Sequence, residues 1–343
     1  MKITSIKTQL KKIPLKTPFI TALRRVENVE FVRVFIECDN EMVAIGEAPA
    51  TKAVTGEGID DILESIDNVK NELLHLTPQD ALTKLHLACY AGSSAKAAID
   101  MALVSMIIQA RSEPLYKYFG LQHPIGLKTD ITISLKSVDE MVQDSAQACK
   151  NGMDILKVKL GEDIDHAIEV TQSISKIVPD AKLIIDANQA WSVEESLRYI
   201  DALKGVSIEL IEQPVIANDI DGLKTITENS NIPILADETV FTLTDAKKVI
   251  ESQSADMINI KLMKCGGLTK AVEILEYARQ KGVQCMLGSM LEGPYSINAA
   301  LHLAMAYSDV IKYIDLDSPL LYKEPSDELE FDFIGCDVVY NQH

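Results

Sequence analysis

The 343-residue sequence lacks the features that mark membrane, exported and nucleic-acid-binding proteins. It has no run of about 18 apolar residues, the length that a membrane-spanning helix needs. Residues 1–7 lack the long apolar core of a signal peptide. Its 51 acidic residues outnumber the 33 basic ones, and the net charge of −18 opposes binding to nucleic-acid phosphates. We therefore expect a cytoplasmic protein with a solvated acidic surface and without membrane or nucleic-acid partners.

Motifs for disulfide scaffolds and nucleotide binding are also missing. The six cysteines include no C-x-x-C pair, which favours reduced thiols in a cytosolic protein. The six histidines show no metal-ligand spacing. Gly56-Glu57-Gly58 and Gly266-Gly267 lack the other glycines of a dinucleotide fingerprint and the Lys-Ser/Thr of a P-loop. We therefore do not expect a nucleotide site.

What the sequence does contain is a charged residue at the end of each of five successive apolar runs. These residues are Lys159, Asp186, Glu212, Asp237 and Lys261. They are separated by 27, 26, 25 and 24 residues. A strand, a helix and two loops consume roughly 25 residues in a (β/α) barrel, whose active site lies at the C-terminal ends of the strands. The spacing therefore predicts that all five side chains converge on one site.

The rest of the chain predicts an α/β protein in which a TIM-type barrel carries an α+β capping domain. Residues 1–50 alternate between apolar and polar, as in an antiparallel meander, and residues 58–118 show helical spacing. From Thr129 onward the pattern is βαβα, with eight strand-like runs. We predict a barrel over residues 123–319 and a capping domain over residues 1–122, to which residues 320–343 return.

The predicted strand order assigns the lysines to strands 2 and 6 and the carboxylates to strands 3, 4 and 5. Three carboxylates without His or Cys suit Mg²⁺. Such a cation can stabilise the enediolate that forms when a proton beside a carboxylate is removed, and a lysine whose pKa is lowered by cationic charge can take that proton. A lysine on the opposite side can return a proton to the other face and invert the stereocentre. Helix capping or surface ion pairing is the alternative for each residue alone, but the shared spacing favours catalysis.

These residues resemble the motifs of the enolase superfamily, in its muconate-lactonising subgroup. The matching motifs are K-x-K at 157–159, D-x-N at 186–188, E-x-P at 212–214, D-E at 237–238 and the run 259–267. The resemblance covers nearly the whole chain. It implies a modified TIM barrel of the (β/α)7β type and one Mg²⁺ per subunit.

The resemblance also implies a role for each residue of the motifs. Asp186, Glu212 and Asp237 would bind the metal, Lys159 and Lys261 would be the acid/base pair, Lys157 would contact the substrate carboxylate, and Asn188 and Glu238 would support the metal shell.

Within that subgroup the match is closest to the dipeptide epimerases. Asp315-Leu316-Asp317 ends predicted strand 8, where a D-x-D binds the free α-ammonium of a dipeptide in that family. Two carboxylates at one strand end are costly unless they meet a cation. A turn or helix cap before Pro319 is the alternative.

Two loops bear on substrate choice. Arg24 matches the arginine that grips the side-chain carboxylate of glutamate in that family, and a guanidinium suits a carboxylate because it donates two parallel hydrogen bonds. A solvated surface arginine is the alternative. Ser289 is a further expected substrate contact. Residues 291–295, Leu-Glu-Gly-Pro-Tyr, depart from the polar stretch usual in these epimerases, and the chain is short after residue 335.

We therefore expect a Mg²⁺-dependent epimerase that inverts the α-carbon of the C-terminal residue of a dipeptide, with L-Ala-D/L-Glu as the substrate, in the recycling of cell-wall peptides. Three related activities use the same lysines and metal: epimerisation of hydrophobic dipeptides, o-succinylbenzoate synthesis and N-acylamino-acid racemisation. A barrel that binds an anion or a metal without turnover is the remaining alternative. A symmetric homo-oligomer is expected from the frequency of such assemblies.

Overall fold

The computed structural model describes residues 1–21 and 25–341, and its N-terminal part is an antiparallel sheet covered by helices. The sheet has the order β1 (Ile3–Ile20), β2 (Arg25–Cys38), β3 (Val43–Pro49). Alternation along β2 sends Val32, Val34 and Ile36 into the core, where each is 0% exposed. The predicted meander is therefore confirmed.

Five helices follow this sheet. They are α1 (Lys52–Thr55), α2 (Ile59–Leu73), α3 (Pro78–Leu87), α4 (Ser93–Gln109) and α5 (Leu115–Tyr118). Helix α4 buries side chains on all of its faces, because it lies between the sheet and the barrel. A Cβ at Gly46 of β3 would lie 1.9 Å from the carbonyl oxygen of Ala98 in α4. Only glycine lets the sheet approach the helix this closely.

The second part of the chain is a barrel of eight parallel strands, preceded by the short strand β4 (Leu127–Lys128). In spatial order the barrel strands are β5 (Ile131–Ile133), β6 (Ile155–Lys159), β7 (Lys182–Asp186), β8 (Ile208–Glu212), β9 (Ile234–Ala236), β10 (Met257–Lys261), β11 (Cys285–Gly288) and β12 (Ile311–Asp315). Hydrogen bonds from Asp130 N to Ile314 O (3.1 Å) and from Leu316 N to Thr129 Oγ1 (3.0 Å) bring the start of β5 to the end of β12.

Each of the first seven barrel strands is followed by a helix. These are α6 (Val138–Lys150), α7 (Ile164–Ile177), α8 (Val193–Ala202), α9 (Ile220–Asn229), α10 (Leu243–Ser252), the pair α11 (Leu262–Cys265) and α12 (Leu268–Lys281), and α13 (Pro294–Ala306). In the described part of the chain, the helical structure after β12 is the single turn α14 (Ser318–Leu321). The predicted (β/α)7β barrel with its α+β cap is therefore confirmed.

The segment after α14 contacts both parts of the molecule. Tyr322 forms an antiparallel bridge with Leu15 of β1. Strands β13 (Phe331–Ile334) and β14 (Asp337–Tyr340) then form a small sheet with β4. The predicted boundaries at 122/123 and 319/320 stay a prediction.

An ion-paired network joins the capping sheet to the barrel. Arg33 of β2 donates to Glu47 of β3 (Nε to Oε1, 2.8 Å) and to Glu328 (Nη1 to Oε1, 2.6 Å). Glu47 also accepts from the backbone N of Tyr295 at the start of α13 (2.9 Å). Glu47 thus satisfies a free N–H of a barrel helix, where a negative charge is favourable.

The structure also bears on membrane spanning and on the state of the cysteines. Within the described residues, no helix is both long enough and apolar enough to cross a membrane. The six cysteines are all free thiols, as expected, and three of them are buried.

Candidate active site

The barrel interior is arranged in layers, because alternate residues of each strand point inward. The lower layer is a buried apolar cluster with one residue from each of β6 to β12: Ile155, Ile184, Leu210, Leu235, Met257, Met286 and Tyr313. Two positions further along the chain are Lys157, Asp186, Glu212, Asp237, Asn259, Gly288 and Asp315. The polar residues at the strand ends therefore lie directly above a packed apolar floor.

Each of the three predicted metal ligands is paired with a lysine. The ion pairs are Asp186 with Lys159 at 2.5 Å, Glu212 with Lys157 at 2.7 Å, and Asp237 with Lys261 at 2.7 Å. Asp186 and Glu212 end β7 and β8, Asp237 directly follows β9, and all three are at most 1% exposed. The structure thus brings the predicted ligands and bases together, and negatively and positively charged side chains alternate in the site.

Burial and these pairs set the pKa values of the carboxylates. Burial raises the pKa of Glu212 to about 7, and the neighbouring charge of Asp186 adds to that rise. Burial also penalises the charged form of Asp237, but Lys261 and Lys264 outweigh it and hold its pKa below the usual value. The pKa of Asp186 is likewise lowered, because its lysine partners outweigh the effect of burial.

Buried oxygen atoms beside these carboxylates accept no hydrogen bond. They are Oδ1 of Asn188 and Oε2 of Glu238, whereas Oε2 of Glu212 is ion-paired with Lys157 Nζ. Asn188 lies between two acids, since its backbone N donates to Asp186 Oδ1 (3.0 Å) and its Nδ2 to Glu238 Oε1 (3.4 Å). Unsatisfied buried acceptors are costly, and hard oxygen donors suit a divalent cation. The residues present therefore fit a Mg²⁺ ion.

The two predicted bases face one cavity at the mouth of the barrel. Lys159 and Lys261 both line this cavity of about 60 Å³, together with Asp237, Glu238 and Asn188. The two lysines come from β6 and β10, which are four strands apart in the barrel. Their ammonium groups therefore approach the cavity from different sides.

The protein's own charges favour the ammonium form of Lys261. Burial would lower its pKa, but the carboxylates of Asp237 and Glu212 raise it above the usual value. The prediction of a lysine whose pKa is lowered by neighbouring cationic charge is not met at Lys261 by the protein's own residues. Lys157 does oppose the rise, but the carboxylates outweigh it.

Lys157 lies deeper than its predicted contact with a substrate carboxylate would suggest. It is 0% exposed and is not among the residues that line the cavity. Besides Glu212, its Nζ contacts Asp315 Oδ2 at 2.5 Å and Asp186 Oδ2 at 3.3 Å. Burial lowers the pKa of Lys157, but these carboxylates raise it well above the usual value. Its role toward the substrate stays a prediction.

Asp315 and Asp317 line the same cavity, as the D-x-D motif predicts. Asp317 Oδ2 accepts from the backbone N of Thr132 (2.7 Å). The structure adds a third carboxylate, Asp130, which the sequence analysis missed. Within residues 1–21 and 25–341, these three supply the group of three potential ligand atoms that lie within 4.8 Å of one another. The predicted metal ligands do not approach this closely, and Lys157 lies between two of them.

Asp130 is fully buried and neither carboxylate oxygen has a hydrogen-bond partner. Burial and the charge of Asp315 raise its pKa well above the usual value. Burial and Asp315 also raise the pKa of Asp317 to about 6. Lys157 instead outweighs burial at Asp315 and lowers its pKa. This end of the cavity is therefore short of positive charge and suits a cationic group.

The remaining predicted contacts are distributed around the rim. Ser289 lines the cavity, and its backbone N and Oγ both lie within hydrogen-bond distance of Asp315 O, at 3.0 and 3.2 Å. Arg24 lies outside the described residues. In the unusual loop 291–295, Leu291 lines the cavity, whereas Tyr295 packs its ring 4.8 Å from the guanidinium of Arg33.

Lys264 is another residue that the sequence analysis passed over. It is 2% exposed and donates to Asp237 Oδ1 (2.5 Å), Asp237 O (2.6 Å) and Asn259 O (2.9 Å). It therefore holds the end of β9 against β10. Its position in the run 259–267, three residues after Lys261, is the sequence signal for this role.

Two family models match the chain. The model described as "Mandelate racemase / muconate lactonizing enzyme, N-terminal domain" matches residues 3–120. The model described as "Enolase C-terminal domain-like" matches residues 140–335. The two matched ranges include the capping sheet and the barrel strands from β6 to β12.

Individual proteins are similar over nearly the full length. An L-amino acid-D/L-Glu epimerase from Sulfurimonas denitrificans is 59% identical, with 98% of this chain and 99% of that protein covered. The substrate-liganded L-Ala-D/L-Glu epimerase from Bacillus subtilis has a TM-score of 0.93 at 39% identity, with coverage of 99% and 96%. The dipeptide epimerase from Enterococcus faecalis, complexed with Mg and L-Leu-L-Tyr, has a TM-score of 0.93 at 33% identity, with coverage of 99% and 97%.

Proposed function

The chain belongs to the mandelate racemase/muconate lactonizing enzyme family of the enolase superfamily, and on that premise we propose that it is a Mg²⁺-dependent dipeptide epimerase. The observation that carries the proposal is one cavity lined by Lys159, Lys261, Asp315 and Asp317. Two bases on different sides of a bound α-carbon can exchange its proton on either face. The D-x-D pair selects a substrate with a free amine.

We assign the substrate as L-Ala-D/L-Glu, with inversion at the C-terminal residue. This assignment is supported by the relatives from S. denitrificans and B. subtilis. Arg24 is the proposed partner of the glutamate side chain, because a guanidinium can pair with a carboxylate through two hydrogen bonds.

One Mg²⁺ ion per subunit would be held by Asp186, Glu212 and Asp237, with Asn188 and Glu238 beside them. We choose this set over the cluster around Asp130 because it lies between the two catalytic lysines. The adjacent Asn188 and Glu238 also have buried oxygen atoms that accept no hydrogen bond, which fits a cation at this position. When bound, Mg²⁺ stabilises the negative charge that develops on the substrate carboxylate during loss of the α-proton.

The chain's own groups perform the proton transfers. One lysine, in its neutral form, takes the α-proton from one face, and the ammonium of the other lysine donates a proton to the opposite face. Each must release its carboxylate partner to act, since Lys159 is bound to Asp186 and Lys261 to Asp237. Asp315 and Asp317 hold the substrate ammonium so that the α-carbon of the next residue lies between the lysines.

The proposed setting follows from the substrate. Dipeptides of L-Ala and Glu arise from bacterial cell-wall peptides, so we propose a cytoplasmic role in their recycling. We further propose a symmetric homo-oligomer without nucleic-acid or membrane partners, which size-exclusion chromatography with light scattering would test.

The decisive experiment is proton NMR of dipeptides in D₂O with the protein and Mg²⁺. With L-Ala-L-Glu we expect loss of the glutamate α-proton signal and appearance of the D-Glu epimer. Lys159→Ala and Lys261→Ala should each stop the interconversion. Lys270→Ala is the matched control, because Lys270 forms a partly exposed ion pair with Glu273 away from the cavity and should retain full activity.

The same measurement on other dipeptides and on N-acyl amino acids separates the alternative functions. Exchange only for acidic C-terminal residues supports Arg24 as the selector, whereas exchange across L-Ala-L-Xaa with hydrophobic Xaa assigns a hydrophobic dipeptide epimerase. Turnover of N-succinyl or N-acetyl amino acids but not of free dipeptides would contradict the role given to Asp315 and Asp317. Absence of exchange in every substrate, with ligand binding retained in the lysine variants, would favour a binding barrel.

A further inference from the structure

Asp237, the third proposed metal ligand, lies beyond the hydrogen-bonded part of its strand. Strand β9 is only three residues long, and it pairs with β8 through Ile211 with Ile234 and Glu212 with Leu235. Its pairing with β10 ends at Ala236. The strand ladder therefore does not fix the backbone of Asp237. Its carbonyl oxygen accepts from Lys264 Nζ (2.6 Å), but its N–H has no partner in the ladder.

Gln213 supplies the missing contact from the neighbouring strand. Its Oε1 accepts from the backbone N of Asp237 (2.9 Å) and of Thr239 (3.2 Å). Its Nε2 donates to Val215 O (2.9 Å) and to Thr239 Oγ1 (2.9 Å). Because two backbone N–H groups can meet only an oxygen, these partners determine the orientation of the amide. One fully buried side chain thus links the end of β8 to the end of β9.

The backbone of Gln213 is itself held in an unusual conformation. Its φ is +38°, in the left-handed region that non-glycine residues rarely adopt. Its N donates to Leu235 O (2.8 Å), and its O accepts from Gln189 N (2.8 Å). The chain therefore turns sharply at the residue that directly follows Glu212.

We propose that Gln213 is a positioning residue that sets the separation of Glu212 and Asp237 for Mg²⁺, an inference that rests on the proposed function. Glu212 precedes Gln213 in the chain, and Asp237 is bound to its side chain. Groups behind metal ligands typically change metal affinity by 10–100-fold when they are lost. Gln213 touches neither the cavity nor the proposed bases.

The test is isothermal titration of Mg²⁺ into the metal-free protein, without substrate. Gln213→Met removes both hydrogen-bonding halves of the amide at similar size, and we expect the Kd for Mg²⁺ to rise at least tenfold, or about 1.4 kcal/mol. Gln213→Glu keeps an oxygen facing Asp237 N. Gln213→Glu should therefore retain more of the Mg²⁺ affinity than Gln213→Met. Because glutamate is close in shape to glutamine, this variant can still be measured if Gln213→Met does not fold.

Gln189→Met is the matched control. Gln189 also has a positive φ (68°), lies in the adjacent loop and accepts a backbone N–H through its amide oxygen, from Ala217 (2.9 Å). Its side chain makes no such bond to a proposed metal ligand. We expect its Kd for Mg²⁺ to stay within twofold of the wild-type value.

The outcomes separate this inference from the proposed function. A wild-type Kd in Gln213→Met, or an equal loss in Gln189→Met, would overturn the positioning role while leaving the epimerase in place. Asp237→Asn should abolish the binding heat. Unchanged Mg²⁺ binding in Asp237→Asn would instead overturn the metal assignment itself, and the positioning role with it.

Discussion

Replacing Arg33 with Met should destabilise the folded protein by about 3–5 kcal/mol at pH 8, because it leaves a buried carboxylate without its counter-charge. The Arg33 side chain is 6% exposed and that of Glu47 is 0% exposed. The guanidinium also binds both oxygens of Glu328, at 2.6 and 2.7 Å. In the variant, Glu47 retains backbone N–H partners such as Tyr295. These hydrogen bonds satisfy the oxygen but do not neutralise the charge.

The chain offers an exposed counterpart of similar geometry. Arg279 binds Asp309 through Nε at 2.9 Å and Nη2 at 2.8 Å, but these side chains are 37% and 60% exposed. Solvent screens such a pair, so Arg279→Met should cost less than about 1 kcal/mol. The difference between the two variants isolates the effect of burial.

The loss of stability in Arg33→Met should also depend on pH. Burial raises the pKa of Glu47 to about 7, even though Arg33 opposes the rise. A carboxyl group with a raised folded-state pKa contributes stability that is present below its ordinary pKa and is lost as pH rises through the folded value. Without Arg33 that pKa rises further. The gap between Arg33→Met and the wild type should therefore widen as pH increases through 7.

Urea unfolding followed by circular dichroism measures these effects, with midpoints compared at equal slope. Adding Glu47→Gln to Arg33→Met should restore part of the lost stability, since the buried charge is then gone. A loss no larger than that of Arg279→Met, or a double variant no more stable than Arg33→Met, would refute the reasoning.

Three further predictions concern the interior and the metal. Asp130→Asn should stay within about 1 kcal/mol of the wild type in urea unfolding at pH 7, because the amide is close in shape to the carboxyl group, the raised pKa of Asp130 favours its neutral form, and neither oxygen has a hydrogen bond to lose; a larger loss would indicate a required carboxylate. Gly293→Ala should cost about 1–3 kcal/mol, since its Cβ would lie 2.4 Å from Glu47 Oε2; an unchanged thermal midpoint would contradict this. Mg²⁺ at a hundredfold excess over its Kd should stabilise the protein by about 2.7 kcal/mol; EDTA should reverse the shift in midpoint, and a midpoint insensitive to Mg²⁺ would argue against the site.

The strand positions of the proposed bases and metal ligands could be predicted because each follows an apolar run at a nearly constant interval. A polar residue at the end of a barrel strand faces the mouth whatever the details of packing. The lysines on β6 and β10 and the carboxylates between them follow from that geometry alone. The same argument correctly assigned the D-x-D motif to the end of β12.

The missed residues depend on contacts between distant segments. Asp130 joins the site only because the barrel closes and brings β5 beside β12, which no local pattern reveals. Gln213 acts through an amide whose partners include Asp237 and Thr239, in the loop after β9. Trp191, which follows the D-x-N motif, is a loop anchor, because its Nε1 donates to Gly161 O (2.9 Å) and it does not line the cavity.

The contacts between the first strands and the segment after α14 can form only after nearly the whole chain has been synthesised. Arg33 and Glu328 are 295 residues apart in sequence, a length that a ribosome adds in roughly 15–60 s. During that time the 18-residue strand β1 is an open sheet edge. Lysines along a sheet edge discourage pairing with other chains, and β1 carries Lys7, Lys11, Lys12 and Lys16. These side chains would protect the nascent chain from aggregation before its own partner residues emerge.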